Sequence, residues 1–104
     1  MAMKSFKGLN GTIILRTSGV AIVRENMLGT TFHNGGEVEI PYCNIDEVVV
    51  VPGSLLNGFI CIVESGYGSP SNVFSAMKDE NTIIFRLTKN GQAEKMKRLI
   101  EARL

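Results

Sequence analysis

The sequence predicts a mainly β protein with seven short antiparallel strands followed by one C-terminal helix. Two observations lead to this class. Short runs rich in Val, Ile, Thr and Phe recur along the chain and are separated by Gly, Asn and Ser, which is typical of all-β proteins. From residue 90 onwards the apolar positions recur instead at intervals of three and four, which is the period of an amphipathic helix.

The strands are predicted from β-branched runs and from alternation between apolar and polar residues. Ser18-Gly19 is a turn signal, and the "NGG" of residues 34–36 is typical of a hairpin. In "EVEIP" Val38 and Ile40 point to one face and the two glutamates to the other. The predicted strands cover residues 12–16, 20–24, 30–33, 37–41, 46–51, 58–64 and 82–88.

The most apolar stretch of the chain is "VVVVPGSLLNGFICIV", residues 48–63. A transmembrane helix needs about 20 nearly continuous apolar residues. The stretch is interrupted by Pro52-Gly53-Ser54 and again by Asn57-Gly58, so it predicts two strands joined by a turn. Gly58 marks either a bulge or turn, which we favour, or a point where a partner approaches the backbone closely.

The helix is predicted from one apolar stripe in "NGQAEKMKRLIEARL". Asn90 is the expected N-cap. Charged residues occupy the opposite side at spacings that allow ion pairs, so a solvated face is favoured over a nucleic-acid or lipid surface. The helix is expected to cover an open end of the β structure with Ala93, Met96, Leu99, Ile100 and Leu104.

Length and composition restrict the class of protein. The 104 residues are enough for one domain, predicted to cover residues 1–104. Eleven Lys and Arg against ten Asp and Glu give a net charge of +1, which offers no basis for nucleic-acid binding. No signal peptide is visible in "MAMKSFKGLNG", so a cytoplasmic location is expected. Cys43 and Cys61 lie in apolar segments and are predicted to be reduced core thiols, with a disulfide as the alternative.

No combination of residues predicts catalysis, a metal site or a cofactor. His33 is the single histidine and lacks the cluster of ligands that a metal needs. A Cys43–His33 nucleophile pair is disfavoured because Cys43 has apolar and acidic neighbours rather than cationic ones. The "GYGSP" of residues 66–70 resembles a glycine-rich loop but lacks the Gly-Lys-Ser/Thr ending of a phosphate-binding loop.

Two adjacent predicted strands are apolar on both faces, which suggests a contact surface. One barrel interior covers only one face, and exposed apolar patches commonly mark interfaces. Self-association is therefore expected through Val48, Val50, Ile60 and Ile62. The alternative is that the long loop of residues 65–81 folds over this face. The cover would be made by Val73, Phe74 and Met77, and the candidates for contacting a partner from this loop are Tyr67, Phe74 and Met77.

Four motifs in order resemble a small bacterial family of pleckstrin-homology-like domains: "FKGLNGTI" at 6–13, "EIPYCNIDEV" at 39–48, "LLNGFI" at 55–60 and "AEKMKRLIEAR" at 93–103. The family has no assigned activity and some members carry a short C-terminal helical module that is not seen here. The resemblance implies a seven-stranded antiparallel barrel or sandwich with a C-terminal helix, and binding rather than catalysis.

The same resemblance bears on the choice between protein binding and lipid-headgroup binding. Eukaryotic pleckstrin-homology domains that bind phosphoinositides carry several cations around their first hairpin, whereas "RTSGVAIVRE" has only Arg16 and Arg24. Many also carry a Trp in the helix, and this chain has none. We therefore expect a non-catalytic, cytoplasmic interaction or assembly module that binds an unknown protein and forms homo-oligomers, without a cofactor or nucleic acid. A peripheral lipid-headgroup-binding domain is the alternative, although membrane contact is less expected.

Overall fold

A computed structural model describes residues 4–24, 37–66 and 81–104. Within these ranges the chain forms seven strands, two one-turn 3-10 helices at Tyr42–Asn44 and Leu87–Lys89, and one α-helix, α1 (Asn90–Glu101). The strands are β1 (Ser5–Lys7), β2 (Gly11–Leu15), β3 (Gly19–Arg24), β4 (Glu37–Pro41), β5 (Ile45–Val51), β6 (Gly58–Glu64) and β7 (Thr82–Phe85).

The strands form two antiparallel sheets. One sheet has the order β1-β2-β3-β4 and the other the order β5-β6-β7. Helix α1 packs mainly on β5 and also contacts β1 and β6. The predicted fold class is therefore confirmed, with seven antiparallel strands in a four-plus-three arrangement and a C-terminal helix.

One hydrophobic core joins the two sheets and the helix. Phe6 of β1 packs edge-on against Phe85 of β7, with ring centroids 5.5 Å apart and planes at 89°. Ala93, Met96 and Ile100 of the predicted helical stripe are fully buried, whereas Leu104 lies beyond the helix and is half exposed. Other fully buried core side chains include Ile13, Val20, Ile22, Ile60, Ile62 and Ile83.

The strand prediction was incomplete at the start of the chain. Strand β1 was missed because only Phe6 of its three residues is apolar and buried, which is too short a pattern to count as alternation. As a result, the hairpin around residues 16–24 is the second hairpin rather than the first. The predicted strand at 30–33, the "NGG" turn and His33 lie outside the described residues.

Two predictions near the helix start were wrong. Strand β7 ends at Phe85 instead of residue 88, because the backbone turns and the Lys89 N–H donates to the Arg86 carbonyl at 2.8 Å. Asn90 is the first residue of α1, and the N-cap position belongs to Lys89, which makes no side-chain cap. The Asn90 carboxamide instead accepts a hydrogen bond from the Gly53 N–H at 2.8 Å and donates one to the Gly53 carbonyl at 3.0 Å.

The turn between β1 and β2 connects the two sheets. The Ile84 N–H donates to Asn10 Oδ1 at 2.8 Å, and Asn10 Nδ2 donates to the Thr82 carbonyl at 3.4 Å. The Leu9 N–H donates to the Ile84 carbonyl at 2.7 Å. Asn10 is only 4% exposed, so this seam between the β1–β2 turn and β7 is an interior feature.

The cysteines have different environments. Cys61 is 1% exposed, as predicted for a core thiol, and the two cysteines are not joined in a disulfide. Cys43 is exposed, so its predicted burial was wrong. It lies in the one-turn helix Tyr42–Asn44 that links β4 to β5, and no residue of that turn is buried.

Candidate interaction surface

The four residues predicted to form a self-association face belong to the core instead. Ile60 and Ile62 are 0% exposed, Val48 is 2% exposed and Val50 is partly buried against them. The four-stranded sheet and α1 cover this face of β5 and β6. The predicted self-association face is therefore not a surface. The assignment of Val48, Val50, Ile60 and Ile62 to an exposed face was wrong.

The opposite face of β6 and β7 is also apolar and buried. Phe59, Cys61, Val63 and Ile84 form a second cluster, and Leu9 and Val49 pack against it. The sequence indicated that β6 needs cover on both faces. Every β6 residue up to Val63 is buried, which is consistent with that inference. The proposed cover through Val73, Phe74 and Met77 of the long loop, and the candidate partner contact Tyr67, lie outside the described residues.

Exposed apolar side chains gather where β5 turns into β6. Leu55 and Leu56 are 102% and 69% exposed, and Leu87, which follows β7, is 55% exposed. The three leucines are called the leucine tip below. Val51, at the end of β5, is 41% exposed and continues the apolar surface.

The leucine tip is held in place by close backbone packing. The Ser54 N–H donates to the Leu56 carbonyl at 2.9 Å, which closes the turn. A Cβ on Gly53 would lie 2.9 Å from Leu87 Cα, and one on Gly58 would lie 2.2 Å from the Val51 carbonyl oxygen. Gly58 therefore allows the chain's own turn to approach, as the favoured alternative for this glycine predicted. The Asn90–Gly53 pair fixes the turn to α1.

Cations surround one side of the leucine tip. A cavity of about 250 Å³ is lined by Lys7, Arg86 and Lys89 together with Gly8, Leu9, Phe85 and Thr88. Lys89 Nζ donates to the Lys7 carbonyl at 3.0 Å and lies 5.9 Å from the centre of the Phe6 ring.

A shallower depression on the helix side is lined by Lys4 and Lys95 with Ser5, Thr88, Gly91 and Gln92. Neither set of lining residues contains an acid. The five cations Lys4, Lys7, Arg86, Lys89 and Lys95 are called the basic cluster below.

The sequence analysis did not predict this cluster as a whole: the basic residues of the helix segment, among them Lys89 and Lys95, were interpreted as a solvated face rather than a lipid surface. Its members come from both ends of the chain and are brought together only because β1 packs beside β7 and the helix start. The signal that was available, Lys4 and Lys7 flanking the single apolar Phe6, is too short to indicate a binding surface.

Acidic residues lie at the other end of the same sheet. Ile45 pairs with Glu64 at one end of β5 and β6, whereas Val51 pairs with Phe59 at the end next to the leucine tip. Asp46 accepts a hydrogen bond from Ser65 Oγ at 3.1 Å, and Glu64 accepts one from Asn81 Nδ2 at 3.2 Å. A strand of seven residues is roughly 20 Å long, so these acids lie about that distance from the leucine-tip end of β5 and β6.

The cations of the second hairpin are in a different environment. Arg16 contacts Glu39 at 3.0 Å and Glu37 at 3.3 Å. Its hydrogen bond to Glu39, and to a smaller extent the one to Glu37, raises the pKa of Arg16 above its usual high value. Arg24 is only 8% exposed. Neither residue offers an open cationic surface.

The described residues show no arrangement typical of an active site. No group of three His, Cys, Asp or Glu in these ranges could hold a metal ion. Cys43 makes a 3.7 Å contact with Asn44 Oδ1, and its suggested partner His33 lies outside the described ranges. No helix within the same ranges is long and apolar enough to cross a bilayer.

The fold and this surface define a mainly β protein with an exposed apolar tip next to a cationic patch. The element order is compatible with the pleckstrin-homology-like fold. Comparisons with protein-family models, with curated proteins and with solved structures find no match.

Proposed function

We propose that this chain is a non-catalytic interaction module that binds its partner through the leucine tip. The observation that carries the proposal is the exposure of Leu55 and Leu56 on a turn whose backbone is fixed by packing and hydrogen bonds. A single exposed leucine is ordinary, whereas a group of exposed apolar side chains on one patch commonly marks a binding surface. Membership of the bacterial pleckstrin-homology-like family is part of the proposal, supported by the order of seven strands and one helix.

A protein partner, including a second copy of the chain, remains the first expectation from the sequence. The face that suggested self-association is buried, so self-association would have to use the leucine tip. Light scattering coupled to size exclusion tests this, with Leu55→Ser/Leu56→Ser as the variant and Leu104→Ser as the control. A monomer at every concentration up to high micromolar would refute self-association.

The broader proposal is tested by photo-crosslinking from the tip. A benzoylphenylalanine placed at Leu55 is expected to form adducts in cells, whereas the same group at exposed Glu101 should not. Equal yields at both positions would contradict the assignment of the tip as the contact surface. Peripheral lipid binding is the second candidate function, and the basic cluster beside the tip favours it.

A further inference from the structure

We propose that the leucine tip and the basic cluster together dock the domain on an anionic lipid surface. The inference rests on the proposed function and names the partner of the same surface. In this arrangement the side chains of Leu55 and Leu56 enter the interface between headgroups and acyl chains. Lys7, Arg86 and Lys89 lie at the level of the lipid phosphates.

The shape of the surface favours a lipid bilayer over a peptide. Peptides are bound by sheet edges or by apolar grooves. Here the leucines project from a turn, and Leu55 is fully exposed, so the apolar part of the surface is convex. A convex apolar tip inserts into a soft interface without needing a complementary cavity in the partner.

The size of the apolar patch argues against a second copy. Leu55, Leu56, Leu87 and Val51 present on the order of a few hundred Å², whereas a stable protein contact buries about 800 Å² on each partner. Pairing two tips would also bring the two basic clusters together. Reversible membrane attachment, in contrast, commonly combines one modest apolar anchor with a polybasic patch.

The charge distribution supports the same partner and sets an orientation. The five cations of the basic cluster line depressions that contain no acid, whereas Asp46, Glu47 and Glu64 lie at the opposite end of β5 and β6. That opposite end also holds Arg103, 5.8 Å from the centre of the Tyr42 ring, so it carries charges of both signs. A negative surface therefore attracts the end with the basic cluster more strongly. The domain is therefore expected to approach with the β5–β6 turn first.

Binding is measured by co-sedimentation with vesicles of phosphatidylcholine and phosphatidylglycerol in equal parts, and with vesicles of phosphatidylcholine alone. The parent is expected to bind the anionic vesicles at least tenfold more tightly, and added salt should weaken that binding because exposed charges are screened. Each cation near an anionic surface contributes about fivefold in affinity, so Lys7→Gln/Arg86→Gln should lose roughly 25-fold.

Two matched controls separate the surface from general charge and apolarity. Lys97→Gln/Arg98→Gln removes the same charge from the later part of α1 and should change binding less than threefold. Leu104→Ser removes an exposed leucine away from the tip and should have no effect, whereas Leu55→Ser/Leu56→Ser should lose tenfold or more. Far-UV circular dichroism and melting curves confirm that each variant is folded.

Insertion of the leucine tip into the bilayer is measured with a tryptophan reporter. The sequence contains no Trp, so Leu56→Trp introduces a single indole at the tip. Its emission is expected to shift to the blue with anionic vesicles and to be quenched by brominated acyl chains. An unshifted spectrum in a sample that co-sediments would overturn insertion of the tip.

The remaining outcomes distinguish the failure of the proposed lipid partner from the failure of the proposed interaction module. Equal binding to neutral and anionic vesicles, or equal loss in the two double cation variants, would overturn the lipid surface as the partner. No vesicle binding, combined with tip-dependent adducts or oligomers, would overturn the lipid partner and leave the interaction module standing. No vesicle binding and no tip-dependent adduct would overturn both.

Discussion

The clamp between Asn90 and Gly53 gives the sharpest test of how the leucine tip is held. Asn90→Ala removes two hydrogen bonds, each contributing about 1 kcal/mol to the free energy of unfolding. Alanine is a better helix former than asparagine by about 0.5 kcal/mol, which offsets part of the loss. The net destabilisation is therefore expected to be about 1.5 kcal/mol.

This loss is measurable in a domain of this size. A change of 1 kcal/mol shifts the melting temperature of a small domain by roughly 4–8 °C, so Asn90→Ala should melt roughly 6–12 °C below the parent. Gln92→Ala is the matched control, because it makes the same kind of change at an exposed position of the first turn of α1. Differential scanning calorimetry on the three proteins measures the effect. Equal melting temperatures for Asn90→Ala and Gln92→Ala would refute the clamp as a stabilising contact.

Further predictions concern the core, the thiols and the helix. Ile62→Glu places a carboxylate where the side chain is 0% exposed, so it should unfold the domain, and a folded variant by circular dichroism would contradict the core assignment. In the native state Cys43 should react quickly with a thiol reagent and Cys61 slowly. Slow reaction of Cys43 would show that its thiol is buried. Deleting residues 93–104 removes three fully buried side chains, and since losing one buried Met or Ile typically costs about 2–5 kcal/mol, the truncated chain should be unfolded. A truncated chain that melts with the parent would show that α1 is dispensable.

The sequence predicted features that depend on repeated local patterns. Strand β6 was predicted with its observed bounds because its five consecutive strand-forming residues, 59–63, lie between two breaks. The helical stripe was predicted because Ala93, Met96 and Ile100 repeat at a helical period. Strand β1 was missed because its single buried Phe6 gives no repeat, and the seam that stabilises it depends on residues far along the chain.

The functional surface was harder to predict for a related physical reason. Ile60 and Ile62 were assigned to the outside because the alternation of a strand shows which residues share a face but not which face is covered. The leucines of the tip were visible in the sequence, but their exposure depends on the Asn90–Gly53 clamp. The basic cluster depends on contact between residues 4–7 and residues 86–95, which no local pattern encodes.

The seam at Asn10 also has a consequence for how the chain folds in time. Its hydrogen bonds to Thr82 and Ile84 span 72 and 74 positions, so the two sheets cannot be joined until strand β7 is available. The core between the two sheets also contains Ala93, Met96 and Ile100 of α1, so it cannot be completed before the C-terminal residues are available. Domains dominated by such distant pairings fold slowly compared with helical ones. Refolding is therefore expected in the range of milliseconds to seconds, and chains that end before α1 should expose apolar surface and aggregate.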